Sequence, residues 1–114
     1  MNAPQIRQLS PTVSVTGQLD PALMQWVAKE GIKSVINNRP DFEGGPDQPT
    51  DAQLKSAALA AGLEYRFLPV APGYQSPEEI DAFARLLQEL PQPILAFCRS
   101  GARSTRLFVA TQSN

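Results

Sequence analysis

Hydrophobic and polar positions along this chain switch repeatedly between a period of two and a period near 3.6, and each switch predicts a new element. Val13 to Thr16 reads as a short strand. Asp20-Pro21 then has the form of a helix start, an N-capping residue before proline at the first helical position, and Gly31 supplies a stop. Leu23, Met24, Trp26 and Val27 form the face expected to be buried, and core packing is the expected role of Trp26. Ile32 to Asn37 predicts a second strand. The next dozen residues, Asn38 to Pro49, are polar and hold two glycines and three prolines. Loops of that length in a small domain are usually functional or mobile.

Thr50 and Gln53 then form a capping box, with Leu54, Ala57, Ala58 and Ala61 at helical spacing up to Gly62. Tyr65 to Val70 predicts a third strand. Ser76-Pro77-Glu78-Glu79 is a second capping box, which makes Glu78 and Glu79 first-turn helix residues. Ile80, Phe83, Ala84, Leu87 and Leu90 give the following helix one apolar stripe. Pro91 and Pro93 end it. Ile94 to Cys98 is apolar without alternation, as a central strand covered on both faces requires. Strands alternating with helices of about ten residues predict right-handed crossovers and a mostly parallel sheet. The expected architecture is a three-layer α/β domain.

Composition bounds this picture without changing it. The 114 residues suffice for a single domain over residues 1–114, and 42% hydrophobic with 18% charged residues is a globular balance. A net charge of −1 gives no bulk attraction to nucleic acid or an anionic membrane. No apolar run reaches the ~18 residues of a membrane helix, and the first ten residues lack the apolar core of a signal peptide, so the expected location is cytoplasmic. With no His and one Cys, Ser-His-Asp triads, Cys-His dyads, His-ligated zinc and Cys-x-x-Cys sites are excluded, and no metal or cofactor is expected.

Charge distribution does change the picture. Residues 91–114 carry Arg99, Arg103 and Arg106 and no acid, a local +3, directly after the lone cysteine. Ligands in open α/β sheets bind beyond the carboxyl ends of the strands, where Cys98-Arg99-Ser100-Gly101-Ala102-Arg103-Ser104 is expected to lie. Its residue types suit an anion cradle. Gly101 permits a tight turn with amide N–H groups pointing inward, the following helix adds its N-terminal N–H groups, and Arg103 offers a bidentate fork. A thiol amid those amides ionises more readily than a free one. A lone cysteine ending a strand is ordinarily core, but a core cysteine has no use for two arginines and a glycine in the next five positions.

The stretch Gly31-Ile32-Lys33-Ser34-Val35-Ile36-Asn37-Asn38-Arg39-Pro40-Asp41 and the loop from Cys98 to Ser104 resemble the beta-lactamase-hydrolase-like protein family, in its phosphatase-like domain. The resemblance runs from about Val13 to Val109. It implies a fold like that of protein tyrosine and dual-specificity phosphatases, and a persulfide dioxygenase-type partner, fused or associated. Family members continue past the active-site helix, so a stop at Asn114 implies a shortened version.

Three features depart from a working tyrosine phosphatase. Phe97 stands where those enzymes have His. Arginine follows the cysteine after four residues, at Arg103, with Ser104 in the phosphatase position; Cys-x4-Arg is similar to the loop of rhodanese-type sulfurtransferases. The segment Phe67 to Gln75 lacks the general-acid Asp. Asp41 is the expected substitute, although a turn-forming role after Pro40 is equally open, and Arg39 is expected to pair with Asp41, bind the anion or brace the loop.

The expected site is thus Cys98, Arg103 and Asp41 in catalysis, with Arg99, Ser100, Gly101, Ala102, Ser104 and Arg39 holding a small sulfur or phosphate anion. Sulfur transfer through a Cys98 persulfide needs no strong acid and is the first expectation. A phosphatase-like hydrolase acting through a phosphocysteine is the alternative, and a non-catalytic anion-binding module the third reading.

Overall fold

The computed structural model describes residues 4–112. A 3₁₀ turn at Pro21–Leu23 joins elements that run β1 (Arg7–Gln8), β2 (Val13–Thr16), α1 (Met24–Lys29), β3 (Ser34–Asn37), α2 (Asp51–Ala60), β4 (Glu64–Phe67), α3 (Pro77–Glu89), β5 (Ile94–Phe97) and α4 (Ala102–Thr111). The sheet order is β1-β2-β5-β3-β4. From β2 to β4 every pairing is parallel, and only the edge strand β1 is antiparallel. This is the expected mostly parallel α/β sheet. No helix among the described residues is long and apolar enough to cross a membrane.

Alternation along β5 divides the core. Leu95 and Phe97 face α1 and α2 together with Met24, Val27, Leu54 and Ala58. Ile94 and Ala96 face the other way, onto Phe83 of α3 and Leu107 of α4. All four residues of β5 are buried, because the strand has neighbours on both edges and helices on both faces.

Both capping boxes form. The Thr50 hydroxyl accepts from Gln53 N–H and the Gln53 side chain accepts from Thr50 N–H; Ser76 and Glu79 do the same for α3. Two local expectations need correction. The first helix starts as a 3₁₀ turn, and its buried residues are Met24 and Val27, while Leu23 and Trp26 only pack on the rim of that cluster. The strand expected over Tyr65 to Val70 is Glu64–Phe67. Beyond Phe67 the chain still hydrogen-bonds to the end of β3, through Leu68 N–H to Asn37 and Val70 N–H to Asn38. The Asn38 side-chain amide, however, takes the Leu68 carbonyl, and the regular ladder ends. β1, an edge strand of two residues that pairs with β2, has no counterpart among the elements expected from the sequence.

Neighbouring strands β3 and β5 send their chains to opposite faces, to α2 and to α4. The crevice between the two departing loops is where an open parallel sheet presents its ligand site.

Candidate active site

Cys98 leaves the end of β5 almost fully buried, with 1% of its surface exposed. Its Sγ accepts the Gly101 N–H at 3.1 Å. Burial by itself pushes the thiol up. The N–H groups of Ser104, Ser100 and Gly101, together with the Ser104 hydroxyl, outweigh that and hold it below its ordinary value.

The turn that aims those amides depends on two glycines. Gly101 has φ +93, and a Cβ there would lie 3.3 Å from the Thr16 carbonyl carbon and oxygen. A Cβ on Gly17 would lie 3.0 Å from the Arg99 carbonyl oxygen, which Gln18 N–H bonds at 3.2 Å. The cysteine loop is therefore clamped against the end of β2 by close backbone approach. Gly101→Ala should cost about 1–2 kcal/mol for the left-handed backbone, read as a lower urea midpoint. It should also pull the Gly101 N–H off the sulfur. The inflection of the iodoacetamide rate against pH, set below that of free cysteine in the wild type, should then rise.

Of the residues singled out in the sequence, Cys98, Arg99, Ser100, Ala102, Arg103 and Arg39 line one cleft of about 620 Å³. Gly101 lies beneath it as the turn, and Ser104 is buried behind it, its hydroxyl donating to Asn38 Oδ1 at 2.8 Å. With one proton to give, that hydroxyl serves either Asn38 or the thiolate.

Asp41 is not among the residues lining this cleft. Its Oδ1 accepts the Asp51 N–H at 2.7 Å, in the first turn of α2. There the carboxylate satisfies an orphan helix donor and meets the positive end of the helix dipole. The acid that does line the cleft is Glu43, two residues on. Its carboxylate accepts from Arg39 Nε at 2.9 Å, and from Arg103 through both terminal nitrogens at 3.1 Å. Burial raises its pKa, but the hydrogen bonds and charges of Arg103 and Arg39 prevail and keep it below the usual carboxylate range. Nothing local marked Glu43 in the sequence beyond its place before Gly44-Gly45. A Cβ on Gly44 would come within 2.7 Å of the Arg39 guanidinium and would have to push that side-chain end aside.

Arg39 thus braces the loop: beside Glu43 it donates to Gln18 Oε1 at 3.0 Å, and it makes no ion pair with Asp41. Arg103 is anchored more deeply. Its side chain also donates to the Val70 carbonyl at 3.0 Å, while its buried Nε has no hydrogen-bond partner. An ion-paired carboxylate contributes stability above its unfolded pKa and loses it as pH falls through the lower, folded one. Acidification below the ordinary Glu range should accordingly loosen this loop, and Glu43→Gln should flatten that part of the urea midpoint's pH profile.

Residues 5–114 match the family described as beta-lactamase hydrolase-like protein, phosphatase-like domain. A beta-lactamase hydrolase-like protein of Agrobacterium fabrum is 37% identical over 102 residues, which is 90% of this chain and 23% of that protein. The chain spans about a quarter of the length of the curated relatives it matches. Among solved structures, a candidate phosphatase of Neisseria meningitidis is 33% identical with a TM-score of 0.83, covering 90% of this chain and 72% of that one. At 19% identity, P. aeruginosa TpbA, in a cysteine-to-serine form complexed with phosphotyrosine, shares the fold with a TM-score of 0.64, over 92% of this chain and 59% of its own.

Proposed function

Since the chain belongs to the beta-lactamase hydrolase-like protein family, as its phosphatase-like domain, we propose that it hydrolyses phosphomonoesters through a phosphocysteine at Cys98. One observation carries this reading. A buried thiol held towards its thiolate by converging N–H groups stands in an arginine-lined cleft at the start of α4. Likeness to the phosphatase-like structures and to TpbA, whose structure contains phosphotyrosine, supports the same choice over sulfur transfer.

In the first step the thiolate attacks phosphorus, the P–S bond forms, and the P–O bond breaks with its electron pair leaving on oxygen. Loop amides stabilise the equatorial oxygens of the transferring group, helped by Arg103 through Nε, the guanidinium nitrogen that its bonds to Glu43 and Val70 leave without a partner. In the second step water attacks phosphorus, the P–S bond breaks, phosphate departs and the thiolate is restored, with the water's protons passing to phosphate and solvent.

Proton delivery to the leaving group separates this site from an efficient general phosphatase. Glu43, the acid in the cleft, is held as a carboxylate by two arginines and is a poor donor. Esters of phenols, which leave as stable anions, are then the substrates of choice. Alkyl phosphates should turn over more slowly by about the 10²–10⁴-fold that general acid catalysis supplies. The test is a leaving-group series from 4-nitrophenyl phosphate to an alkyl phosphate. A steep fall with leaving-group basicity is expected; a flat series would place a working proton donor in the cleft and overturn this part of the account.

The same lack of an acid, with the four-residue spacing to Arg103, favours one second reading. Cys98 would attack the sulfane sulfur of thiosulfate, the S–S bond breaking to release sulfite, and cyanide would remove the persulfide sulfur as thiocyanate. Thiocyanate production without aryl phosphate turnover would establish it. A persulfide dioxygenase-type partner belongs to this second reading alone.

A further inference from the structure

Four arginines and one glutamate line the cleft of Cys98, in a chain whose overall charge is −1. Glu43 is spent on two of them, Arg39 and Arg103. Arg99 and Arg106 have no carboxylate partner among the described residues. Arg106 is exposed, on the helix turn after Arg103, where a solvated arginine would ordinarily swing free. It is instead drawn across the mouth of the cleft, its guanidinium donating to the Pro72 carbonyl at 2.8 Å. That bond ties α4 to the loop between β4 and α3 and fixes positive charge on the lining of the cleft that holds Cys98. Arg99, the residue after Cys98, adds a second guanidinium at the same rim.

With the Cys98 loop holding the phosphoryl group, as proposed above, we infer that Arg99 and Arg106 form a second anion subsite, and that the natural substrate is a phosphomonoester carrying another anionic group on its leaving portion. A guanidinium whose carbonyl contact uses one nitrogen keeps other donors for a carboxylate or a second phosphate. Two uncompensated charges at the mouth of one cleft also raise the local concentration of a dianionic ligand over a singly anionic one. Arg103, buried and paired, sits too deep to serve both groups.

The experiment uses the Cys98→Ser protein and a matched pair of ligands, 4-carboxyphenyl phosphate and its methyl ester, with dissociation constants from calorimetry. The carboxylate should bind about tenfold more tightly at low salt, the scale of one charge-assisted contact at a partly exposed site. That preference should shrink as ionic strength rises and fall close to one in Arg106→Gln. Equal affinities for the two ligands, or a preference that survives in both Arg106→Gln and Arg99→Gln, would overturn the subsite. Failure of both ligands to bind would overturn the anion loop and the subsite together. A carboxylate preference in a protein that turns over neither ester would uphold the subsite and sink the hydrolase reading alone.

Discussion

Cys98→Ser should abolish aryl phosphate turnover, a loss on the order of 10⁴-fold or more, the scale reached when other covalent enzymes lose their nucleophile. The reason lies in ionisation. The loop lowers the pKa of a thiol, and a thiolate is a competent nucleophile at neutral pH. The same N–H groups face a serine hydroxyl whose pKa is far too high for them to ionise it, and no base in the cleft can assist, since Glu43 is committed to Arg39 and Arg103. Oxygen is smaller than sulfur and accepts the Gly101 N–H equally well, so the fold should tolerate the change. Inorganic phosphate or vanadate should still bind the Cys98→Ser protein. Turnover surviving in this variant would mean that chemistry happens elsewhere.

Arg103→Ala should have the largest effect on stability, about 3–5 kcal/mol by the measure of broken buried ion pairs, towards the lower end because the Glu43 side chain is 20% exposed. Removing the guanidinium strips Glu43 of two of its three hydrogen bonds and takes the donor from the Val70 carbonyl. A partly buried carboxylate left with Arg39 alone is costly, and the loop from Asn38 to Pro49 loses its anchor to α4. Arg103→Lys should recover part of the loss and not all, because an ammonium cannot place parallel bonds on both carboxylate oxygens while also reaching Val70. Glu43→Gln added to Arg103→Ala should recover part as well, by removing the stranded charge. Urea midpoints of these variants, the wild type and Glu43→Gln alone, five proteins in all, check this. Additive losses in the double variant would contradict the coupling.

How legible the site was depended on how far apart in sequence its bonds run. The capping boxes at Thr50 and Ser76, the four-residue apolar run of β5 and the glycine at 101 are local signals, and each has the predicted consequence. β1 carries no such signal: two residues at an edge show no period. Trp26 looks like core by residue type, yet Met24 and Val27 take the interior and Trp26 packs at the edge of their cluster. Asp41 and Glu43 were the harder case. Both lie in one polar loop, and nothing within that loop says which acid turns to α2 and which to the cleft. The choice is made by Arg103, sixty residues away, and by Gln48, whose side chain bonds Gly44 N–H and the Pro40 carbonyl and folds the loop back on itself. The Arg103 fork was foreseen as an anion ligand; its terminal nitrogens turn out to be bonded to Glu43, a partner that only the tertiary fold brings near.

The central claim is that Cys98 takes up a phosphoryl group. Acid-quenching the wild-type protein during turnover of 4-nitrophenyl phosphate and measuring the mass of the peptide that contains Cys98 tests it most directly. The account predicts a gain of one phosphoryl group on that cysteine, absent from Cys98→Ser and lost on standing as water completes the cycle. Turnover that depends on Cys98 but never places phosphorus on it, under quench conditions that preserve a phosphocysteine, would contradict the account. So would an inert protein whose Cys98 instead gains a single sulfur atom from thiosulfate.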